Sequence, residues 1–119
     1  MIALGIDFGT KTIGLAYTVN SIIFTLPSIK NDTVKFDRLL SVIAQYSIDH
    51  IYVGLSEGKM AKLTLKFVTE LRSVLKFPIE TVEESVSTIE AAGILKINKK
   101  SISGIDSASA AVILRRVIN

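Results

Sequence analysis

Cysteine is absent from the 119 residues, which excludes disulfide frameworks, thiolate metal sites and thiol nucleophiles. Histidine occurs once, as His50, and its place just before an apolar run suits a local surface contact better than catalysis. Long apolar runs are missing as well. None approaches the ~18 residues that a membrane span needs, and Asp7 interrupts the early one. The first residues lack the basic segment and small-residue cleavage site of a secretory signal, so the chain is expected to be cytoplasmic and to have no membrane partner. Charge of one sign is only mildly in excess: 14 Lys and Arg stand against 11 Asp and Glu, a net charge of +3. That balance is compatible with nucleic acid, and equally with lysines that are simply solvated.

What is present is apolar and patterned. With 49% hydrophobic residues, a chain of this length can bury a core as one domain, residues 1–119. Residues 2–8, "IALGIDF", and 12–19, "TIGLAYTV", read as a hairpin around Gly9-Thr10-Lys11. "IIFTLPSI" follows as a third strand, and its Pro27 marks the strand's end or a sheet edge. From Asn31 the period becomes helical, with Asp32 or Thr33 as cap and Val34, Phe36, Leu39, Leu40, Ile43 and Tyr46 recurring to about Ser47. "HIYVGLS" is a fourth strand. A second amphipathic helix presents Met60, Leu63, Phe67, Leu71 and Val74 on one face, with Lys59, Lys62, Lys66 and Arg72 largely elsewhere. "PIETVE" is a fifth strand, Ser87 to Glu90 a capping box opening a helix to about Ile97, and Ser103 to Asp106 the start of a last helix to Ile118. The polar, basic segment 96–104 joins these two helices.

The order βββαβαβαα describes an α/β fold. Strands separated by helix-containing stretches must be crossovers, so strands four and five lie parallel to the first in a mixed five-stranded sheet whose first three strands are antiparallel. Sites in such sheets form at the carboxyl ends of parallel strands. Asp7 lies near that end of the first strand, Glu83 and Glu84 at that end of the fifth, and Asp106 in the first turn of the last helix. Asp49 precedes its strand and falls at the opposite edge. Glu83 and Glu84 are consecutive and point to opposite faces, so one of them serves a site and the other, Glu83, is solvated. Converging carboxylates repel unless a divalent cation neutralises them, and oxygen donors without Cys or His select Mg²⁺ or Mn²⁺. Each acid has an ordinary alternative: Asp7 as a turn cap, and Asp106 as a first-turn acid worth ~0.3–1 kcal/mol against the helix dipole. The Ala-rich "ASAAVIL" reads as packing.

At these residues the chain resembles a known family. "LGIDFGTKTIGLAY", "IYVGL", "VEESVST" and "IDSASAAVIL" are similar, in order, to the successive motifs of the YqgF/RuvX family. These are ribonuclease H-like bacterial proteins described as Holliday junction resolvases and as pre-16S ribosomal RNA nucleases. The resemblance covers essentially the whole chain, and the first and last motifs are the most specific. It implies that the metal-binding and catalytic acids are Asp7, Glu84 and Asp106, and that the fold is the ribonuclease H-like sheet. Two positions depart from the family. Ser85 stands where arginine is usual, removing a cation beside the acids, and after Val53-Gly54-Leu55 the segment "SEGKMAK" is shorter than usual and lacks the usual proline.

The chemistry implied is phosphodiester hydrolysis with one or two Mg²⁺ or Mn²⁺ ions, ~3.5–4 Å apart in the paired case. Thr10 and Lys11 at the hairpin turn, with Lys59, Lys62, Lys99 and Lys100, are candidates for holding backbone phosphates without reading bases; as alternatives, Thr10 and Lys11 merely form the hairpin and the lysines of the second helix are solvated. Processing of the 5′ end of pre-16S rRNA is the favoured function, with junction resolution and a catalytically weak nucleic-acid-binding relative as alternatives. A resolvase should be dimeric to place symmetric nicks, whereas an RNA-processing enzyme works as a monomer or weak homodimer. "DFGTK" also resembles the phosphate-binding hairpin of actin-like ATPases and sugar kinases, but those enzymes need two such domains around a cleft, and this chain supplies one.

Overall fold

Alternation of side chains about the strands decides which helix covers which face. The computed structural model describes residues 1–83 and 105–118, with the backbone alone at 105–107. Its strands are β1 (Ala3–Phe8), β2 (Thr12–Val19), β3 (Ile22–Lys30), β4 (His50–Leu55) and β5 (Ile79–Glu83), and its helices α1 (Lys35–Gln45), α2 (Lys59–Val74) and α3 (Ile105–Ile118). The sheet order is β3-β2-β1-β4-β5. Strands β1, β2 and β3 pair antiparallel, whereas β4 is parallel to both β1 and β5. This is the expected mixed sheet. The helix expected over 87–97, its capping box and the segment 96–104 lie outside the described residues.

The β2–β3 connection is a two-residue turn in which Asn20 and Ser21 both have positive φ, 54° and 64°. That is the left-handed pairing whose twist suits a tight hairpin, and Asn tolerates it readily. Pro27 lies inside β3, which is the edge strand. Ile29 pairs with Ile13 and Leu26 with Leu15, so β3 carries one extra residue there. The bulge accommodates a proline that cannot donate to the ladder.

One face of the sheet carries Leu4, Ile6, Ile13, Leu15, Ile51, Val53 and Ile79, packed with Leu39 and Ile43 of α1 and Phe67, Val68 and Leu71 of α2. The other carries Ala3, Ala16 and Tyr52 against Ala110, Ala111, Ile113 and Leu114 of α3. Six of the α3 residues in "ASAAVIL" other than Ser109 are buried, as the Ala-rich pattern predicts, and Ser109 is buried too. Phe67 forms the junction of the first face, with its ring 4.5 Å from that of Phe8 and 5.7 Å from that of Phe36. Burying a side chain of that size contributes ~1.5–3 kcal/mol.

Two expectations from periodicity are corrected. On α2 the buried residues are Thr64, Phe67, Val68 and Leu71, while Leu63 and Val74 are 47% and 55% exposed. The helix is rolled so that Phe67 reaches both Phe8 and Phe36, which carries Val68 inward and Leu63 outward. On α1, Val34 and Leu40 are exposed, and the helix starts at Lys35. Asp32 still takes up an end of the chain there: its Oδ1 accepts from the Val34 N–H at 3.1 Å, and Thr33 makes no such bond among the described contacts.

Candidate active site

Asp7 is the one proposed acid whose side chain the structure describes. Strand alternation puts it on the face of Ala3 and Gly5, beneath α3, while Leu4, Ile6 and Phe8 face α1 and α2. It is partly buried and has partners in the fold. Across β2 its paired residue is Gly14. On the other side Ile6 pairs with Val53, so the next level along β4 is Gly54. Glycine therefore flanks Asp7 on both neighbouring strands, and neither supplies a side chain to cover the carboxylate.

Helix α3 approaches this face closely. A Cβ on Gly5 would lie 2.6 Å from the Ala110 carbonyl oxygen and 2.8 Å from Leu114 Cγ, so only glycine admits the helix here. The direction of α3 is also fixed. Arg115 and Ile118 at its end line one groove with Ser21 and Ile23, and Ile23 pairs with Thr18, which pairs with Ala3. The helix thus ends over the amino end of β1 and starts over its carboxyl end. From the Gly5–Ala110 contact, Asp7 is two strand residues on, ~6.6 Å, and Asp106 is four helix residues back, ~6 Å. Their backbones advance to the same edge. The Asp106 side chain, with Glu84, Ser85, Lys99 and Lys100, lies outside the described residues.

Glu83 ends β5 and is exposed. Val82 packs with the α3 cluster and Ile79 with the other, so Glu83 is on the face opposite Asp7, as expected of the solvated partner. Asp49 stands at the opposite edge, accepting from the Ile2 N–H at 3.1 Å. His50 is there too, with Nε2 2.6 Å from Glu80 Oε2 and its ring stacked on Tyr52. Burial, then the charge of Glu80, push the Tyr52 hydroxyl above its ordinary range. The histidine is therefore committed away from Asp7. Among the described residues no three His, Asp or Glu side chains come together.

Basic residues collect at the Asp7 edge. Thr10 and Lys11 are exposed at the turn after β1, and Lys59 and Lys62 at the start of α2, just beyond the carboxyl end of β4. Three further residues at this edge escape sequence reading: Asn31, Lys30 and Lys35, brought there because β3 runs antiparallel to β2 and ends beside Thr12. Lys35 Nζ lies 5.1 Å from the Phe36 ring centre. Asp32 is nearby but engaged, 3.0 Å from Arg38. Desolvation, the largest single influence, pushes its carboxyl up, and the Arg38 and Val34 hydrogen bonds with the charges of Arg38 and Lys30 together outweigh this, holding it below its ordinary range. Gly14 was legible in principle, since a three-residue turn at 9–11 pairs 7 with 14. Gly54 was not, because parallel register follows from no local turn.

The donor chemistry fits a hard cation. With no cysteine and the one histidine held by Glu80, oxygen is what this edge offers, which suits Mg²⁺ or Mn²⁺ rather than zinc.

Comparison with known proteins agrees with this architecture. The proteins named "Putative pre-16S rRNA nuclease" from Buchnera aphidicola subsp. Baizongia pistaciae and Desulforamulus reducens are 35% and 32% identical to this chain. The alignments cover 96% and 94% of it, and 93% and 92% of theirs. Among solved structures, Thermus thermophilus RuvC superposes with a TM-score of 0.66 at 16% identity, covering 95% of this chain and 90% of that one. The fowlpox virus Holliday junction resolvase does so with a TM-score of 0.59 at 14% identity, covering 98% and 96%. Both likenesses are of fold. A family model described as "RuvX: Holliday junction resolvase" matches residues 1–119, and the chain belongs to the RuvX family.

Proposed function

We propose that this protein is a metal-dependent nuclease that hydrolyses phosphodiester bonds of nucleic acid, with 5′-end processing of pre-16S rRNA as its task. It would work in the cytoplasm as one ribonuclease H-like domain, a monomer or weak homodimer. The observation that carries the reading is Asp7: a carboxylate at the carboxyl end of β1, flanked by Gly14 and Gly54, with α3 starting over the same edge. Asp7, Glu84 and Asp106 would hold one or two Mg²⁺ or Mn²⁺ ions. When bound, the metal supplies the positive charge that polarises a scissile phosphate and lowers the pKa of an attacking water.

The chain's own groups do the rest. Gly14 and Gly54 put no side chain of their own between Asp7 and a phosphate. Lys11, Lys59 and Lys62, with Lys99 and Lys100, neutralise backbone phosphates and make binding independent of base sequence. The exposed Thr10 hydroxyl would donate to a phosphate at the turn. Loss of the family arginine at Ser85 leaves more of this work to the lysines.

The family description favours a second reading, resolution of four-way DNA junctions. The two are separated by incubating the protein with Mg²⁺ and either an RNA spanning the 5′ end of 16S rRNA or a four-way DNA junction. RNA cleavage at a defined position with the junction left whole supports rRNA processing. Paired symmetric nicks in the junction, by a protein that is dimeric by mass in solution, would replace it with resolution. Cleavage of neither, with binding retained, would make the protein a non-catalytic relative.

A further inference from the structure

The turn after β1 is three residues long, and two of its carbonyl groups are taken by a single residue just past the end of β3. The Asn31 side-chain amide donates to the Gly9 oxygen at 2.7 Å, and the Asn31 N–H donates to the Lys11 oxygen at 2.9 Å. Gly9 N–H closes the turn on the Thr12 oxygen at 3.0 Å. Asn31 is partly buried and directly follows Lys30, which pairs with Thr12 at the end of β3. A short turn at the end of two strands frays readily when nothing packs on it. Here Asn31 ties it to a third strand.

The tie also fixes where charge stands. Lys11 is exposed on the turn and Lys30 on the adjoining strand end, and among the described residues neither makes an ion pair. The nearest following acid, Asp32, is bound through both oxygens by Arg38 at 3.1 and 3.0 Å. Lys35, by contrast, is held by the Asp32 carbonyl and the Phe36 ring. Lys11, and Lys30 with its charge also acting on the Asp32 carboxyl, thus flank a turn that Asn31 ties down.

We propose that Asn31 is a positioning residue for a phosphate-binding corner, made by Lys11 and Lys30, that grips the nucleic-acid backbone beside the Asp7 edge. The nuclease reading supplies the ligand class. The corner itself stands on the Asn31 bonds. A fixed turn lets Lys11 meet a phosphate with less ordering cost, so loss of the Asn31 amide acts through Lys11.

The test is binding of a fluorescent RNA stem with a single-stranded 5′ extension, in EDTA, over a range of KCl concentrations. Lys11→Ala and Lys30→Ala should each flatten the plot of log K against log salt by about 0.7–0.9, one phosphate's share. Asn31→Ala should weaken binding roughly fivefold, and adding Lys11→Ala to it should cost less than the product of the separate losses. In Mg²⁺-dependent cleavage, Asn31→Ala should raise KM and move kcat less than twofold. Unchanged salt slopes in both lysine variants, or a lowered melting temperature in Asn31→Ala with unaltered binding, would overturn the corner. If the wild type binds with these slopes but cleaves nothing, the nuclease reading fails and the corner stands.

Discussion

The two faces of the sheet are filled on opposite principles. Toward α1 and α2 the strands present Leu4, Ile6, Ile13, Leu15, Ile51 and Val53, and the gap is closed by large side chains centred on Phe67. Toward α3 they present Ala3, Gly5 and Ala16, and the helix answers with Ala110 and Ala111. The first arrangement contributes most of the buried apolar volume and holds its helices at a distance. The second gives up volume for proximity, setting the α3 backbone against β1. The face with large residues holds the fold, and the close-packed face sets the start of α3 over the same sheet edge as Asp7.

Disrupting the large-residue face should cost the most. Phe67→Ala removes the ring that joins Phe8 and Phe36 and is expected to lower stability by ~3–5 kcal/mol in denaturant unfolding. On the opposite face, Gly5→Val forces a side chain into the 2.6 Å approach to Ala110. A loss of ~1–3 kcal/mol is expected there, with a fall in cleavage larger than that loss explains, because α3 must lift from the Asp7 edge. Equal loss of activity in Phe67→Ala and Gly5→Val variants, compared at the same fraction folded, would erase the distinction between the faces. On the α2 surface, Leu63→Ala should change stability by less than ~0.5 kcal/mol, since Leu63 faces solvent.

The smallest effect is an acid-side one. Against desolvation, the largest single influence, the Asp32 carboxyl is held below its ordinary value in the fold by Arg38, Val34 and Lys30 together. Its contribution is therefore present in full above the unfolded pKa and lost as pH falls through the lower folded value. Arg38→Ala should be slightly less stable than the wild type at neutral pH and should converge with it in strong acid, as read from thermal melts across pH 2 to 7.

Much of this was readable from residue order. Apolar, β-rich runs bounded by turn signals marked the five strands, and Pro27 marked a strand end or a sheet edge, because a missing N–H is tolerated only at such places or at a bulge. Asp7, Asp49 and Glu83 fell at the edges expected of them, since an acid's place relative to its strand fixes the edge and alternation fixes the face. The roll of α2 was hidden: Leu63 and Val68 satisfy helical spacing equally, and the choice between them is made by Phe8 and Phe36, distant in sequence. Asn31, Lys30 and Gly54 were hidden for the same reason. Each gains its meaning from pairing across strands, which no local pattern encodes.

Asp7 is proposed as the pivot of a metal-dependent phosphodiesterase. Its most direct test is single-turnover cleavage of an RNA carrying the 5′ end of pre-16S rRNA, with Mg²⁺, by the wild type and by Asp7→Asn. Asp7→Asn should lose at least ~100-fold in rate while melting within a few degrees of the wild type and binding the RNA no more weakly. Cleavage by Asp7→Asn at the wild-type rate, equally dependent on Mg²⁺, would contradict it.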